Sequence, residues 1–234
     1  MPSGTLNFFD KLYFRLKKQR YRNKYARLSY SQEGEDMVLA AYLGDKKDGF
    51  YVDVGAHHPF RFSNTYRFYL QGWRGVNIDA KPGSMELFKL YRPLDINLEM
   101  AISNRKEILK FHVFNEPALN SFSTELSAER DNNNGYNVVG TIDIQTHLLA
   151  DVLNSHITDN QLIDFMSVDV EGLDYNVLLS NDWNKFRPRY LLTEDVKLGS
   201  ISQICESTTS KYLKGVGYLP ISKTINTIFY KDVT

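Results

Sequence analysis

What this chain lacks narrows its class before any motif is read. It has a single cysteine, Cys205, among 234 residues, so no internal disulfide can form, which suits a reducing compartment. Nothing beside Cys205 marks it as a nucleophile, and core or near-surface packing is its expected role. No apolar run approaches the ~20 residues that cross a bilayer. Charge interrupts the apolar residues near the start, so no signal-peptide pattern forms, and a cytoplasmic protein is expected. There is no excess charge of either sign: 28 Lys and Arg balance 28 Asp and Glu, which removes the global field a nucleic-acid partner would need. No internal repeat is visible.

The chain is long enough to bury a full core, and it reads as one domain over residues 30–234 behind an N-terminal segment, 1–29. Residues 6–27 are helical in pattern, with Leu6, Phe9, Tyr13 and Leu16 on one face and eight Lys and Arg between positions 11 and 27. A basic amphipathic helix can lie on an anionic membrane. The apolar stripe fades after Leu16, so packing on its own domain or on a second subunit of a homodimer is the expectation, and membrane contact is not.

Beyond it, strand and helix patterns alternate, which argues for a layered α/β sheet. Helices are expected at 37–43 with Ser31 as N-cap, at 65–71, at 82–91 with Pro82 in the first turn, at 146–155, at 175–179 and at 200–214. Strands are expected at 50–54, 75–79, 97–103, 108–114 at an edge, 138–144, 162–170 and 189–196. Residues 218–220 and 227–230 make a closing antiparallel pair. The polar stretch 116–136 is too irregular for a plain connection and reads as a lid or substrate loop.

One stretch organises the rest: Gly49-Phe50-Tyr51-Val52-Asp53-Val54-Gly55-Ala56-His57-His58-Pro59. A buried β-rich run ends at a glycine turn, and Ser63-Asn64-Thr65 then opens a helix. Strand, turn and helix in that order build a ligand crevice at the carboxyl ends of an open α/β sheet. The next strand ends in Asp79, placed to accept hydrogen bonds from ribose hydroxyls. Dinucleotide sites use several glycines so that the backbone can approach a pyrophosphate. Here the turn has one glycine, two histidines and a proline. A ligand with ribose but no phosphate fits better, and S-adenosylmethionine is the common one.

Taken together, Ser31-Gln32-Glu33-Gly34-Glu35-Asp36, Val52-Asp53-Val54-Gly55-Ala56-His57-His58-Pro59, Ser63-Asn64-Thr65, Gly72-Trp73-Arg74-Gly75, Ile78-Asp79-Ala80 and Ser167-Val168-Asp169-Val170-Glu171-Gly172 resemble the FkbM family of S-adenosylmethionine-dependent methyltransferases. The resemblance runs from about residue 30 to 195. It implies a Rossmann-like class I methyltransferase sheet with helices on both faces and a C-terminal antiparallel hairpin. It implies O-methylation, commonly of a sugar or nucleotide-linked sugar in bacterial glycan or natural-product biosynthesis. The N-terminal segment and the 116–136 stretch fall outside it, and acceptor choice is expected to reside there.

By that resemblance Gly55 and Ala56 line the methionine side of the cofactor, and Gln32 and His57 count among the cofactor-binding residues. Asp79 holds the ribose, Asp53 receives the amino group directly or through water, and Ala101, Ile102 and Ser103 meet the adenine. Asn64 and Thr65, at a helix start, are candidates for the cofactor carboxylate, with simple capping as the alternative. A sugar hydroxyl is a weak nucleophile, so a base or a cation must help it. The candidates stand at strand ends: Asp169 with Glu171 first and His58 as a third member, then His57, and Glu194 with Asp195. A divalent metal shared by the acids is an alternative rather than an expectation. Asp169-Val170-Glu171 also resembles the acid pairs with which some glycosyltransferases hold metal and nucleotide diphosphate. A non-catalytic cofactor-binding protein is the third reading.

Overall fold

The computed structural model describes residues 8–195 and 199–234. Expectations that fall on Leu6 and Val196 lie outside them. Helix α1 (Phe8–Tyr25) precedes α2 (Glu35–Leu43), and then strands and helices alternate. They run β1 (Phe50–Val54), α3 (Tyr66–Leu70), β2 (Arg74–Asp79), α4 (Met85–Tyr91), β3 (Ile96–Glu99), β4 (Ala101–Ile102) and β5 (Ile108–Phe114). A 3-10 turn (Pro117–Leu119), α5 (Thr124–Arg130), β6 (Val138–His147), α6 (Leu149–His156), β7 (Ile163–Val168) and α7 (Asp174–Leu179) follow. The chain closes with β8 (Pro188–Glu194), α8 (Ile201–Glu206), α9 (Thr208–Gly215), β9 (Tyr218–Lys223) and β10 (Thr227–Asp232).

Seven strands form the main sheet in the order β3-β2-β1-β7-β8-β10-β9. The first five are parallel, and β10 runs antiparallel to both β8 and β9, so the α/β sheet and its C-terminal hairpin are both present. From β1 the chain steps outward through β2 to β3, then returns on the other side of β1 to β7 and β8. That reversal opens a crevice beyond the carboxyl ends of β1 and β7.

Alternation along the central strand divides the core. Val52 and Val54 face one layer with Val76, Ile78, Met166 and Leu149, while Tyr51 faces the other with Phe165, Trp73 and Phe68. Burying each such side chain contributes about 1.5–3 kcal/mol, and β1 is covered on both faces.

Several expected boundaries are corrected. The strand expected at 97–103 is two strands: β3 closes the main sheet, and β4 pairs with β6 in a separate three-stranded sheet, order β4-β6-β5. The chain changes sheets at Met100, whose N–H donates to the Asp79 carbonyl at 2.9 Å. The β6 strand runs to His147, which delays the following helix to Leu149. Pro82 is not in a helix, because Gly83 takes φ +79°, a left-handed value that no right-handed helix contains, and α4 starts only at Met85. Ser31 is not an N-cap: Gly34 stands there, and Ser31 Oγ instead accepts from the Asp36 N–H. Residues 200–214 break at Ser207, whose side chain caps α9. The 116–136 stretch contains a 3-10 turn and a helix rather than an open loop. Cys205 is exposed.

Helix α1 does not pack on the domain as expected. Of its described side chains only Asp10 is less than exposed. No helix among the described residues is long and apolar enough to cross a membrane.

Candidate active site

The crevice at the sheet's reversal point is lined by the ends of β1, β2 and β7, by β4, and by the segment after β5. About 1030 Å³ of empty space, open solvent included, lies within it.

The β1 turn is built for close approach. Gly55 has φ +86°, and a Cβ there would sit 1.7 Å from the Asp169 carbonyl oxygen, so only glycine lets the β1 and β7 exits lie side by side. Its N–H and that of Ala56 donate to the Ile78 carbonyl at 2.8 and 3.0 Å. His57 follows at φ +53°, with its N–H donating to Asp79 Oδ2 at 2.9 Å. Asp79 Oδ1 accepts from the Lys81 N–H at 2.8 Å. Burial pushes the Asp79 carboxyl up and those two N–H groups oppose it, so a fixed acid faces the crevice from the end of β2.

Gln32, Gly55, His57, Asn64, Asp79, Ile102, Asp169 and Glu171 all line the crevice. Other expected residues lie behind its wall. Ala56 packs against Met85 and Phe88, and Ala101 and Ser103 are buried in the smaller sheet's first strand and its exit. Asp53 and Thr65 are buried below the floor and bonded to each other. Asn64 donates from Nδ2 to Ser167 Oγ at 3.0 Å. His58 is not among the lining residues: its Nδ1 accepts from the Phe60 and Arg61 N–H groups, both at 3.1 Å, so the ring fixes the turn.

Acids gather on the β7 side. Asp169, Glu171 and Glu194 each bring a carboxylate oxygen within 4.8 Å of the others. Strand alternation does not bring Asp169 and Glu171 together, since β7 ends at Val168 and Glu171 takes φ +53°. A tight turn does it, held by the Ser121 hydroxyl donating to the Glu171 carbonyl at 2.5 Å. Asp174, one turn on, accepts from the Gly172 N–H. Arg130 is the cation: its Nη1 lies 2.7 Å from Glu171 Oε2, an ion pair without hydrogen-bond alignment.

Burial first, and then mutual repulsion, raises these carboxyls. Glu194 is pushed up to about 8 and Asp174 to about 7, each by burial with Glu171 adding to it. Asp169 rises well above the usual range through burial, then Glu194 and Glu171. Glu171 also rises through burial, with Arg130 pulling the other way. Burial lowers His57, which also lines the crevice, to about 4, and its buried Nε2 has no hydrogen-bond partner among the described residues.

Sequence reasoning missed Asp174 and Arg130. Asp174 follows two acids within a turn, but it stands just before the helix expected at 175–179 and carries no motif of its own. Arg130 stood in the stretch taken for a loop, so nothing local tied it to Glu171. The same stretch supplies Phe122, which packs on Phe111 and adds to the crevice's aromatic lining, while Phe62 lines it beside His57.

Residues 53–220 match a family model described as the methyltransferase FkbM domain. No curated protein matches the chain. Among solved structures, a TehB-like SAM-dependent methyltransferase from Corynebacterium glutamicum ATCC 13032 Kitasato aligns over 95% of this chain and 99% of its own, at 10% identity and a TM-score of 0.38.

Proposed function

The chain belongs to the FkbM methyltransferase family, whose cofactor is S-adenosylmethionine, and on that premise we propose that it methylates a hydroxyl oxygen of a sugar or nucleotide-linked sugar, in bacterial capsule, lipopolysaccharide or natural-product biosynthesis. The observation that carries the oxygen-directed reading is the cluster of Asp169, Glu171 and Glu194 at the crevice wall. A hydroxyl must lose its proton as it is methylated, and carboxyls raised above their usual range by burial and by one another suit that task.

The residues fit the cofactor. Asp79 offers a fixed acid where a ribose would lie, Ile78, Met100 and Ile102 offer an apolar wall for adenine, and Gly55 lines the crevice where the methionine chain would pass. The unpartnered His57 Nε2 and the Asn64 amide offer polar contacts at its other end. Asp53, Thr65, Ala56, Ala101 and Ser103 support that wall from behind rather than touch the ligand. When bound, S-adenosylmethionine supplies a methyl group already activated by its sulfonium.

The protein's share is alignment and proton removal. Glu171 is committed to Arg130, which leaves Asp169 as the proposed base and Glu194 as the group that shares its proton. The aromatic lining of Phe62, Phe111 and Phe122 would stack the acceptor against the β7 turn. The family match weighs against the glycosyltransferase reading of Asp169-Val170-Glu171, whose acids stand here beside an arginine.

Incubating the protein with S-adenosylmethionine and a panel of free and nucleotide-linked sugars, with mass detection of methylated product, tests the reading. Parallel calorimetric titrations with S-adenosylmethionine and with nucleotide-sugars plus Mg complete it. Cofactor binding with methyl transfer to amines only would overturn oxygen as the acceptor, and metal-dependent nucleotide-sugar binding alone would restore the glycosyltransferase.

A further inference from the structure

Charge that balances over the whole chain is divided within it. Residues 8–27 carry eight Lys and Arg against one acid, while residues 28–234 carry 20 Lys and Arg against 27 Asp and Glu. A basic helix on an acidic domain would be drawn down onto it, yet α1 stands clear. Its surface is not simply a solvated one either. Phe8, Phe9, Leu12, Tyr13 and Leu16 are between 43% and 77% exposed. At 100° per residue these five fall within an arc of about 140°.

Over these first turns basic side chains border the arc, with Lys11, Arg15 and Lys18 along one edge and Lys17 and Lys24 along the other; Arg20 falls within the arc a turn after Leu16, and Phe14 projects from the opposite face. Long basic side chains so placed keep their heads in the polar layer while their stems cover apolar surface. An acidic protein surface would satisfy the charges but leave the five apolar side chains in water. A bilayer with anionic headgroups satisfies both.

We propose that α1 is a docking surface for an anionic phospholipid bilayer, lying in the interface with Phe8, Phe9, Leu12, Tyr13 and Leu16 toward the acyl boundary. Attraction falls off within a Debye length, so the contact depends on salt. The proposal is independent of the acceptor chemistry, because α1 contributes nothing to the crevice lining.

Co-sedimentation of the full chain with vesicles of phosphatidylcholine alone, and of phosphatidylcholine with one third phosphatidylglycerol, tests it. The expected result is pelleting with the anionic vesicles only, reversed at high salt. Lys17→Glu with Lys24→Glu should weaken partitioning at least tenfold. Phe9→Ser with Leu12→Ser should also weaken it, which separates insertion from charge attraction alone. Unchanged S-adenosylmethionine binding by each variant shows that it is folded. Equal pelleting of wild type and both variants, or none with either vesicle, overturns the proposal. So does a dimer, seen by light scattering, that the charge reversal dissolves, since α1 would then serve a second copy.

Discussion

The Thr65 hydroxyl donates to Asp53 Oδ2 at 2.9 Å, beneath the floor of the crevice. Thr65 Oγ1 in turn accepts from Arg92 Nη2 at 3.0 Å, and Arg92 is wholly buried, with its Nε on Asp95 at 2.9 Å. Arg92 also donates to the Tyr51 hydroxyl at 2.6 Å. Two buried acids and one buried guanidinium are thus tied together through a threonine at the start of α3. Asp53 still sits at about 6, because burial outweighs the pull of Arg92 and the Thr65 bond.

Thr65→Val keeps the shape and removes that link. It should cost about 1–3 kcal/mol, the range for leaving buried polar groups unpaired, read as a lower denaturant midpoint. Cofactor affinity measured by calorimetry should change little. A large affinity loss at unchanged stability would place Thr65 on the cofactor carboxylate instead.

Asp79→Ala should do more. The carboxylate holds the His57 and Lys81 N–H groups as well as facing the proposed ribose position. Loss of S-adenosylmethionine affinity by about 1.5–3 kcal/mol is expected, together with a lower melting temperature. Asp79→Asn retains an acceptor and should lower the affinity less. Wild-type affinity in both folded variants would remove Asp79 from the cofactor site.

The acid cluster makes a signed statement about pH. The Glu194 carboxyl titrates near 4.5 when unperturbed and at about 8 in the folded protein. Between those values the unfolded chain has released a proton that the folded chain retains. Stability from this group is therefore full below pH ~4.5 and is lost as pH rises toward and through 8. Asp174, at about 7, acts in the same direction. The ligand-free protein should melt higher at pH 6 than at pH 8.5, with a slope of at most about 1.4 kcal/mol per pH unit for each proton. Glu194→Gln should flatten that dependence, and a melting temperature that rises with pH would contradict it.

How much of this was legible in the sequence varied with how local the cause was. The β1 and β5 boundaries read correctly residue for residue, because a continuous apolar run ending at Gly55 and an alternating run ending at Phe114 are local signals. The division of 97–103 between two sheets was not legible, since Met100 interrupts no β pattern and the switch is set by what lies beside the chain. Pro82 invited a helix start that Gly83 forbade. Within the crevice, residues beside the Gly55 turn and the β7 exit could be named from order alone. Which of them line the crevice could not: Asp53 and Thr65 bond to each other outside its lining, while Arg130 arrives from a distant segment.

Removal of the proposed base gives the sharpest test of mechanism. Asp169 Oδ1 is buried with no hydrogen-bond partner among the described residues, and Glu194 and Glu171 lie close by. Asp169→Asn should lower kcat by about 10²–10⁴-fold with little change in cofactor affinity, the range for loss of a general base. Glu194→Gln should shift the pH–rate profile of kcat while leaving more activity, because it acts through Asp169. Glu171→Gln breaks the ion pair to Arg130, and a higher acceptor KM is expected from the loosened α5 segment. A chelator separates the metal alternative. Activity lost to chelation and restored by Mg or Mn would give the three acids a cation to hold. Activity unaffected by chelation, combined with the Asp169→Asn loss, leaves proton transfer to the carboxylate itself. Full turnover in both Asp169→Asn and Glu171→Gln would move the base to His57, which also lines the crevice and which burial keeps neutral, lowered to about 4.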